Sequence, residues 1–445
     1  MKKLSIILAI LIGVIVVTGA TAFTINHFYN SSFKAEIIND NEIIYPKYSW
    51  YIKFNKKLNQ ITVNEKTLYI ENENKEKVEV EISINEENNI VKIEPVDYYE
   101  GWMKYNLVIT KKIKSNVGES IKETLKKDFN MQDSNFNVSV KDELAEVKKD
   151  IENEEDLFIT IVDALIKKSE SKEINLKKPD ENYNIENIKN YIKLYMPFLY
   201  MNVKDIKNED SKILITYNIK KKELGNKSKD LLKKSKTIAD DLKYVDNDID
   251  KESMIYKEIL KDIPKKKDLR KEGKNDELYN ENVKDLFKEL DKYDDSTIMT
   301  YLTMNYCDIP CLVVTGLSGE KEHMWNLAKI NDNFVHIDMP WNLLISSRVN
   351  KGSSYRFFNL NDENIDYTHS WPTDLYPECK SFSNFEKICE DNLYEVKDSD
   401  KLSEFLEKSI KNDVEIVTLK IEDKEFEKYN IKDILNEILS TKESY

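Results

Sequence analysis

The chain has 445 residues, too many for one hydrophobic core, and a formal net charge of −14, so we expect several domains. Its basic side chains are nearly all lysine, with arginine only at Arg270, Arg348 and Arg356, which argues against nucleic acid as a partner. Its nine glycines are scattered and form no phosphate-binding loop. We therefore expect no nucleotide, and the sequence predicts no other cofactor and no metal.

The N-terminus has the pattern of an export signal. Two lysines precede an apolar run, Leu4–Val17, and Ala20-Thr-Ala22 supplies an Ala-x-Ala cleavage site. The apolar stretch is also close to the roughly 20 residues that span a bilayer, so an uncleaved anchor is the alternative. We predict that residues 1–22 are a signal peptide or membrane anchor. This places the protein in the cell envelope or outside the cell, with no other contact with the membrane.

Residues 32–115 show the period-two alternation of short β-strands. The clearest strands are Tyr48–Phe54, Val78–Ile84, Asn89–Pro95 and Tyr105–Thr110. Alternation with polar turns between the strands predicts a small antiparallel β-sandwich.

The details of this sandwich resemble the bacterial Ig-like modules of surface-layer and cell-wall proteins. Ile52–Lys57 is similar to their opening Phe-Ser-Lys-Pro strand. Ile93–Pro95, followed by Tyr99–Tyr105, is similar to their closing Pro…Leu-x-x-Gly-x-x-Tyr signature. The resemblance implies an all-β Ig-like fold and a cell-surface setting, and we expect its aromatic residues to form the core.

The next segments read as a spacer and a small α/β unit, and the unit recurs at the C-terminus. Residues 116–153 are charged and predict a helical spacer, and residues 154–236 predict the α/β unit. Residues 382–445 repeat part of that unit, because Leu402–Ile410 matches Leu157–Ile166 and Tyr429–Ile434 matches Tyr183–Ile188. We interpret the two copies as interaction or packing modules that flank the domain between them.

That domain, residues 237–381, has helices first and an antiparallel sheet after them, which predicts an α+β fold. The predicted helices are Asp250–Leu260, Asn280–Lys292 and Ser296–Tyr306. The predicted strands are Cys311–Gly316, Glu322–Lys329 and Asn333–Met339.

Two strands of this sheet bring a histidine and an aspartate together. Asn331 and Asp332 suit the centre of a hairpin turn. The resulting register makes His323 and Asp338 diagonal neighbours on one face, about 7–8 Å apart at the backbone and within side-chain reach. This is the geometry of a catalytic base and the carboxylate that orients it. His336 points to the same face, where it either packs beside Asp338 or is a core histidine with satisfied bonds.

The surrounding motifs resemble the transglutaminase-like superfamily, which has a papain-like core. The matching segments are Asp308–Cys311, His323–Asn326, Ile337–Asn342, Tyr355–Phe358 and His369–Trp371. They correspond in order to Gly-Ile-Pro-Cys, His-Ala-Trp-Asn, Val-Asp-Pro-Thr-Trp-Asp and the later Tyr-x-Phe and His-x-Trp positions. The resemblance covers about Thr237 to Ser381. It implies a Cys-His-Asp triad in which His323 and Asp338 are two members.

The third member of the triad is missing. A count back from Ile309-Pro310-Cys311 without gaps places Tyr293 at the position of the nucleophile. A phenol does not replace a thiolate that a helix N-terminus and an imidazole keep ionised. Ser296 or Thr297 could act as an alcohol nucleophile, but Asp295 or Ser296 as a helix cap is the simpler interpretation.

Three residues beside the pair are candidate binding residues, namely Trp325, Asn326 and Trp341. An exposed cleft of aromatic rings could bind sugar or peptide. The alternative for the tryptophans is that they fill the core around the sheet.

The four cysteines all lie in the last third of the chain, at Cys307, Cys311, Cys379 and Cys389. In an exported protein they permit two disulfides. Zinc is the alternative, although Cys-x3-Cys with Cys-x9-Cys is poor ligand spacing. Free buried thiols are a third possibility, and the sequence leaves the three open.

Three functions follow from these observations. The first is a degenerate, non-catalytic transglutaminase-like domain that binds a peptide, protein or cell-wall component. The second is an active amide hydrolase or acyltransferase with an unrecognised nucleophile, Ser296 or Thr297. The third is a purely structural spacer of the surface layer or cell wall.

Overall fold

The computed structural model describes residues 32–39, 44–87, 89–144, 147, 149–177, 184–209, 212–261, 290, 294–347, 354–380, 393–396, 398–412, 417–420, 431 and 434. The fold is mixed α/β and divides into two compact units. The first unit comprises the described residues up to Ile166, with Lys172–Ile188 and Glu209–Ile213. The second comprises Lys167–Ser171, Lys189–Asn208 and the described residues from Leu214 onward.

The first part of the chain forms two antiparallel sheets. The strands are β1 (Ala35–Ile37), β2 (Trp50–Phe54), β3 (Leu68–Asn72), β4 (Val80–Ile84), β5 (Ile90–Pro95), β6 (Lys104–Ile109) and β7 (Leu125–Asn130), followed by helix α1 (Met131–Ser139). The sheets have the orders β1–β2–β5–β4 and β3–β6–β7. The strands predicted around β2, β4, β5 and β6 are therefore present.

Alternation of side chains builds the core between these sheets. Trp50, Ile52 and Phe54 of β2 are fully buried, as period-two patterning requires of a strand with one covered face. The ring of Trp50 lies 5.1 Å from that of Phe129 on β7, which joins the two sheets through their inner faces.

The prediction of a helical spacer over residues 116–153 is wrong for Leu125–Asn130. Leu125–Asn130 is a strand, and it pairs with β6 from Lys104↔Asn130 to Ile109↔Leu125. Lys126 and Asp128 of this edge strand face outward, so its charged composition hid the buried Phe129. Only α1, which begins after the cap that the Asn130 side chain provides, is helical as predicted.

The α/β segment follows. Its elements are β8 (Asp150–Ile151), α2 (Glu154–Ile166), β9 (Ser171–Glu173), β10 (Asn175–Leu176), α3 (Ile185–Tyr195), α4 (Pro197–Tyr200), β11 (Val203–Glu209) and β12 (Lys212–Tyr217). Strands β8 and β10 pair in parallel on either side of α2 in the sequence, which makes a short β-α-β unit. A separate sheet has the order β11–β12–β9.

Three helices precede the larger sheet: α5 (Lys221–Leu242), α6 (Asp248–Lys261) and α7 (Asp294–Tyr306). Every residue of α7 from Ser296 to Met304 is buried, as expected of a helix that other elements surround. The helix predicted at Asn280–Lys292 lies outside the described residues except for Leu290.

The larger sheet comprises β13 (Cys311–Ser318), β14 (Lys321–Ile330), β15 (Asn333–Ile337), β16 (Phe358–Leu360) and β17 (His369–Ser370), in the order β16–β15–β14–β13–β17. Helices α8 (Met339–Ser347) and α9 (Asp362–Asp366) lie between its later strands in the sequence. The β14–β15 register runs from Ile330↔Asn333 to Asn326↔Ile337, as predicted. Asn331 and Asp332 have φ of +47° and +65°, which suits the two central residues of a hairpin turn.

The C-terminal part contains a second β-α-β unit. Strands β18 (Leu393–Glu395) and β19 (Thr418–Lys420) pair in parallel, and helix α10 (Ser399–Lys411) lies between them in the sequence. Helices α2 and α10 both have 13 residues, and each follows the first strand of its unit. The repeat itself stays a prediction.

Three of the four cysteines are described, and none forms a disulfide. Cys307, Cys311 and Cys379 are buried thiols outside any disulfide, whereas Cys389 lies outside the described residues. Two disulfides would need all four residues, so that alternative is wrong. The predicted N-terminal signal or anchor also lies outside the described residues. Within them, no helix is both long and apolar enough to cross a membrane.

Candidate ligand-binding cleft

His323 and Asp338 meet as the sequence predicted. Nε2 of His323 lies 2.7 Å from Oδ2 of Asp338, and both side chains are buried. Asp338 directly follows β15 and precedes α8, so its other oxygen, Oδ1, accepts the backbone N–H of Trp341 at 3.0 Å. The carboxylate therefore caps the N-terminus of α8 while it holds the imidazole.

A second histidine shares this carboxylate, and the sequence did not assign it to the site. Nε2 of His369 lies 2.9 Å from the same Oδ2 of Asp338. On the other side of the ring, Nδ1 of His369 lies 2.8 Å from the hydroxyl of Thr368. The signal for it in the sequence is the His-x-Trp motif of His369–Trp371, to which the family resemblance gives no role. The pair is thus a His-Asp-His cluster.

The two histidines set the charge of Asp338. Burial alone raises the pKa of this carboxyl, but the neighbouring His323 and His369 outweigh that effect and lower the pKa to about 2. Asp338 is therefore ionised in the folded protein at any ordinary pH.

Gly316 allows His369 to reach the cluster. Strand β17 pairs with β13 through Leu317↔Ser370 and Ser318↔His369. A Cβ atom built on Gly316 would lie 2.3 Å from the carbonyl oxygen of Ser370, far inside contact distance. Only glycine lets the backbone of β17 approach β13 this closely.

His336 is a core histidine with both ring nitrogens satisfied. The indole N–H of Trp325 donates to Nδ1 of His336 at 2.9 Å, and Nε2 of His336 lies 2.8 Å from Oδ1 of Asp362. Burial lowers the pKa of His336 despite the nearby Asp362 carboxylate. Of the two interpretations that the sequence left open, the satisfied core histidine is the observed one.

The three predicted binding residues support the fold. Trp325 is fully buried and orients His336. Asn326 is also buried, and its amide donates to the carbonyls of Thr297 and Leu312. Trp341 donates its indole N–H to the hydroxyl of Ser318 at 2.9 Å.

None of these three residues lines the cleft described next, and their role in binding stays a prediction. Trp325 lies on the same face of β14 as His323, but its ring is fully buried against His336, His369 and Trp371.

A cleft of about 1250 Å³ opens beside His323, and all its lining residues belong to the second unit. Its charged lining residues are Lys193, Lys204, Lys227, Lys321, Asp294, Asp295 and Glu322. Its apolar lining residues include Pro197, Ile298, Val313, Leu317, Met324 and Trp371. Lys227 and Asp295 form an ion pair of 2.5 Å across the helices α5 and α7. His323 is the member of the histidine–aspartate pair that reaches the cleft.

The two alcohol candidates for the nucleophile, Ser296 and Thr297, do not line this cleft. Tyr293 lies outside the described residues. The hydroxyl of Thr297 donates to the carbonyl of Met324 at 3.2 Å, and Ser296 is buried in α7. Neither residue is among the lining residues of the cleft.

None of the described cysteines lines the cleft either. Burial raises the pKa of the Cys307 thiol to about 11 and raises those of Cys311 and Cys379 as well. A reactive cysteine needs a lowered pKa and access to solvent, so none of the three fits the role of nucleophile.

Two groups of side chains have the composition of metal ligands among the described residues. One is the His-Asp-His cluster of His323, Asp338 and His369, and the other is His336, Asp362 and Cys379. Within each group the ligand atoms all lie within 4.8 Å of one another.

No protein-family model matches the chain, and no curated protein is similar to it. Solved structures with detectable similarity include three of the bacterial S-layer protein SbsC. The structure of its N-terminal part is 18% identical and covers 22% of this chain and 23% of that one. The structure of rSbsC(31-844) is 20% identical and covers 22% of this chain and 14% of that one. The structure of domains 1–6 is 18% identical and covers 23% of this chain and 14% of that one. The TM-score is 0.19 in each case. The chain spans less than a quarter of each structure's length, and similarity at this level carries no conclusion about fold or function.

Proposed function

We propose that this is an exported cell-envelope protein in which an Ig-like module precedes a transglutaminase-like domain that binds peptide without catalysing a reaction. The signal-like N-terminus supports export, and the motif resemblances support the two domain types. One observation carries the loss of catalysis. His323 lines the cleft with Asp338 behind it, but no described cysteine, nor Ser296 or Thr297, lines the same cleft.

The size and composition of the cleft favour a peptide as the ligand. Its volume of about 1250 Å³ is larger than the roughly 300–1,000 Å³ of ordinary small-molecule sites. Its lining combines lysines, acidic residues and apolar side chains, which suits a chain of varied side chains better than a single small ion. Partner proteins and the stem peptides of a cell wall share this chemistry.

Leu317→Glu tests the proposal, because Leu317 lines the cleft and is 39% exposed, so the substitution should not unfold the domain. Leu375→Glu is the matched control, since Leu375 is 42% exposed and does not line the cleft. Binding would be measured to an immobilised library of unmodified peptides and, separately, to purified cell-wall sacculi. We expect Leu317→Glu to weaken binding about tenfold or more, which corresponds to about 1.4 kcal/mol, and Leu375→Glu to leave it unchanged.

The two arms of the experiment distinguish the sources of the peptide. Binding to the library alone indicates a partner protein, and binding to sacculi alone indicates the cell wall. If the wild-type protein binds neither, or if Leu317→Glu and Leu375→Glu weaken binding equally, the cleft is not a peptide site.

A further inference from the structure

The two groups of possible metal ligands differ in one respect that decides whether a metal can enter. A histidine binds a metal through a ring nitrogen that carries a lone pair, and its other nitrogen then carries the proton. The partner of that other nitrogen must therefore be able to accept a hydrogen bond. The hydrogen bonds on the far side of each ring show which histidines meet this condition.

The group of His336, Asp362 and Cys379 fails the test. The indole N–H of Trp325 can only donate, so Nδ1 of His336 must hold the lone pair. The proton of the neutral ring is then on Nε2, where it donates to Asp362. Nε2 has no lone pair left for a metal, and this group is a hydrogen-bonded core cluster.

The His-Asp-His cluster passes the test. Nδ1 of His369 faces the hydroxyl of Thr368. This hydroxyl donates its own hydrogen to the carbonyl of Ile365 at 3.3 Å, so its oxygen can accept a hydrogen bond from an N–H at Nδ1. Nδ1 of His323 has no hydrogen bond within the described residues, and His323 lines the cleft, where water can accept from it. Both rings can therefore carry the proton on Nδ1 and present the Nε2 lone pair to a metal.

We propose that His323, Asp338 and His369 bind one Zn²⁺ ion through the two Nε2 atoms and Oδ2. Two imidazole nitrogens and one carboxylate oxygen, with an open fourth position, are a ligand set that zinc adopts. The present separations of 2.7 and 2.9 Å are those of hydrogen bonds. Ligand atoms at about 2.0–2.1 Å from a tetrahedral ion lie roughly 3.3 Å apart, so a movement of a few tenths of an ångström at each N–O pair admits the metal.

The surroundings of the cluster are already ordered for this role. Oδ1 of Asp338 is held by the backbone N–H of Trp341, which leaves Oδ2 directed at both rings. Thr368 supports His369 from behind, as such outer partners do in zinc sites. The proposal does not depend on peptide binding by the cleft.

The test is a titration of the purified, chelator-treated full chain with Zn²⁺ alone, followed by calorimetry, with Co²⁺ as a spectroscopic probe of coordination. We expect one Zn²⁺ per chain and the visible absorption of tetrahedral Co²⁺. His369→Gln should weaken binding about 100-fold or more, and Thr368→Val, which leaves every ligand in place, about tenfold. His336→Gln is the matched control, and its affinity should equal that of the wild type.

Three outcomes would overturn the proposal. The first is no saturable binding of Zn²⁺ by the wild type. The second is binding that Thr368→Val and His369→Gln both retain, which would place the ion elsewhere. The third is binding that His336→Gln removes while His369→Gln keeps it. Thermal unfolding of each variant shows whether it is folded. If His369→Gln does not fold, the zinc affinity of Thr368→Val and the Co²⁺ spectrum of the wild type test the proposal.

Discussion

Gly316 lies so close to the carbonyl oxygen of Ser370 that a Cβ atom at position 316 would be 2.3 Å from it. The same Cβ would lie 2.8 Å from the indole of Trp325. We expect Gly316→Ala to push β17 away from β13, to remove His369 from Asp338 and to destabilise the second unit by about 1–3 kcal/mol, the cost of overpacking a filled site. Chemical denaturation monitored by tryptophan fluorescence measures this.

Gly225→Ala is the control for this substitution. Gly225 lies in α5, and a Cβ built on it meets nothing within 4 Å. An alanine in the interior of a helix is favoured over glycine by about 0.5–1 kcal/mol, so this variant should be slightly more stable than the wild type. Equal stability of Gly316→Ala and Gly225→Ala would show that β17 is not held as described.

The shared carboxylate of Asp338 makes a second prediction. Asp338→Asn removes the charge that faces both His323 and His369 in a buried site. Whichever way the amide is turned, its NH₂ group faces another donor, either the backbone N–H of Trp341 or the Nε2–H groups of the histidines, so a buried donor is left unsatisfied. We expect a loss of about 1–3 kcal/mol in the free energy of unfolding at neutral pH, the cost of leaving a buried donor without a partner. A loss below about 1 kcal/mol would contradict the cluster.

The sequence predicted that His323 and Asp338 approach each other, but it did not predict that His369 belongs to the same site. The hairpin turn fixed the β14–β15 register, so the approach of His323 to Asp338 followed from counting residues. Counting residues could not place His369, because it lies on a two-residue strand, β17, that pairs with the edge of β13 opposite to β14. Periodicity does not reveal pairing between strands that are distant in sequence.

The local sequence did not show which side chains are buried. Trp325 and Asn326 sit in a motif typical of catalytic sites, yet both are fully buried and bond to the protein itself. At Leu125–Asn130 the charged residues of an edge strand resemble a helical spacer, because one apolar residue, Phe129, is the sole fully buried member. In both places tertiary contacts, which local composition does not show, decide the role.

Glu252 gives a third prediction, which concerns pH. Glu252 is fully buried, and its Oε2 accepts the amide of Asn359 at 3.1 Å, whereas Oε1 has no partner among the described residues. Burial raises the pKa of this carboxyl from 4.5 to about 8, even though the bond from Asn359 lowers it. A pKa that is higher in the folded state than in the unfolded state favours folding at low pH. That stabilisation is complete below about pH 4.5 and is lost as the pH rises to about 8.

Glu252→Gln removes this titration. We expect the free energy of unfolding of the wild type to fall relative to that of Glu252→Gln between pH 5 and pH 8, by up to about 1.4 kcal/mol per pH unit. Denaturation curves of both proteins across this range make the comparison. Parallel curves for the two proteins would mean that Glu252 is ionised in the folded state.

The most direct test of the central claim is whether His323 and Asp338 still take part in a reaction. The full chain and His323→Ala would each be incubated with a peptide library and with amine donors, and mass spectrometry would detect hydrolysis or crosslinking. The account predicts that neither protein forms product above background, because no described cysteine, and neither Ser296 nor Thr297, lines the cleft beside His323. Product that the wild type forms and His323→Ala does not would contradict it, and Ser296→Ala and Thr297→Ala would then identify the nucleophile.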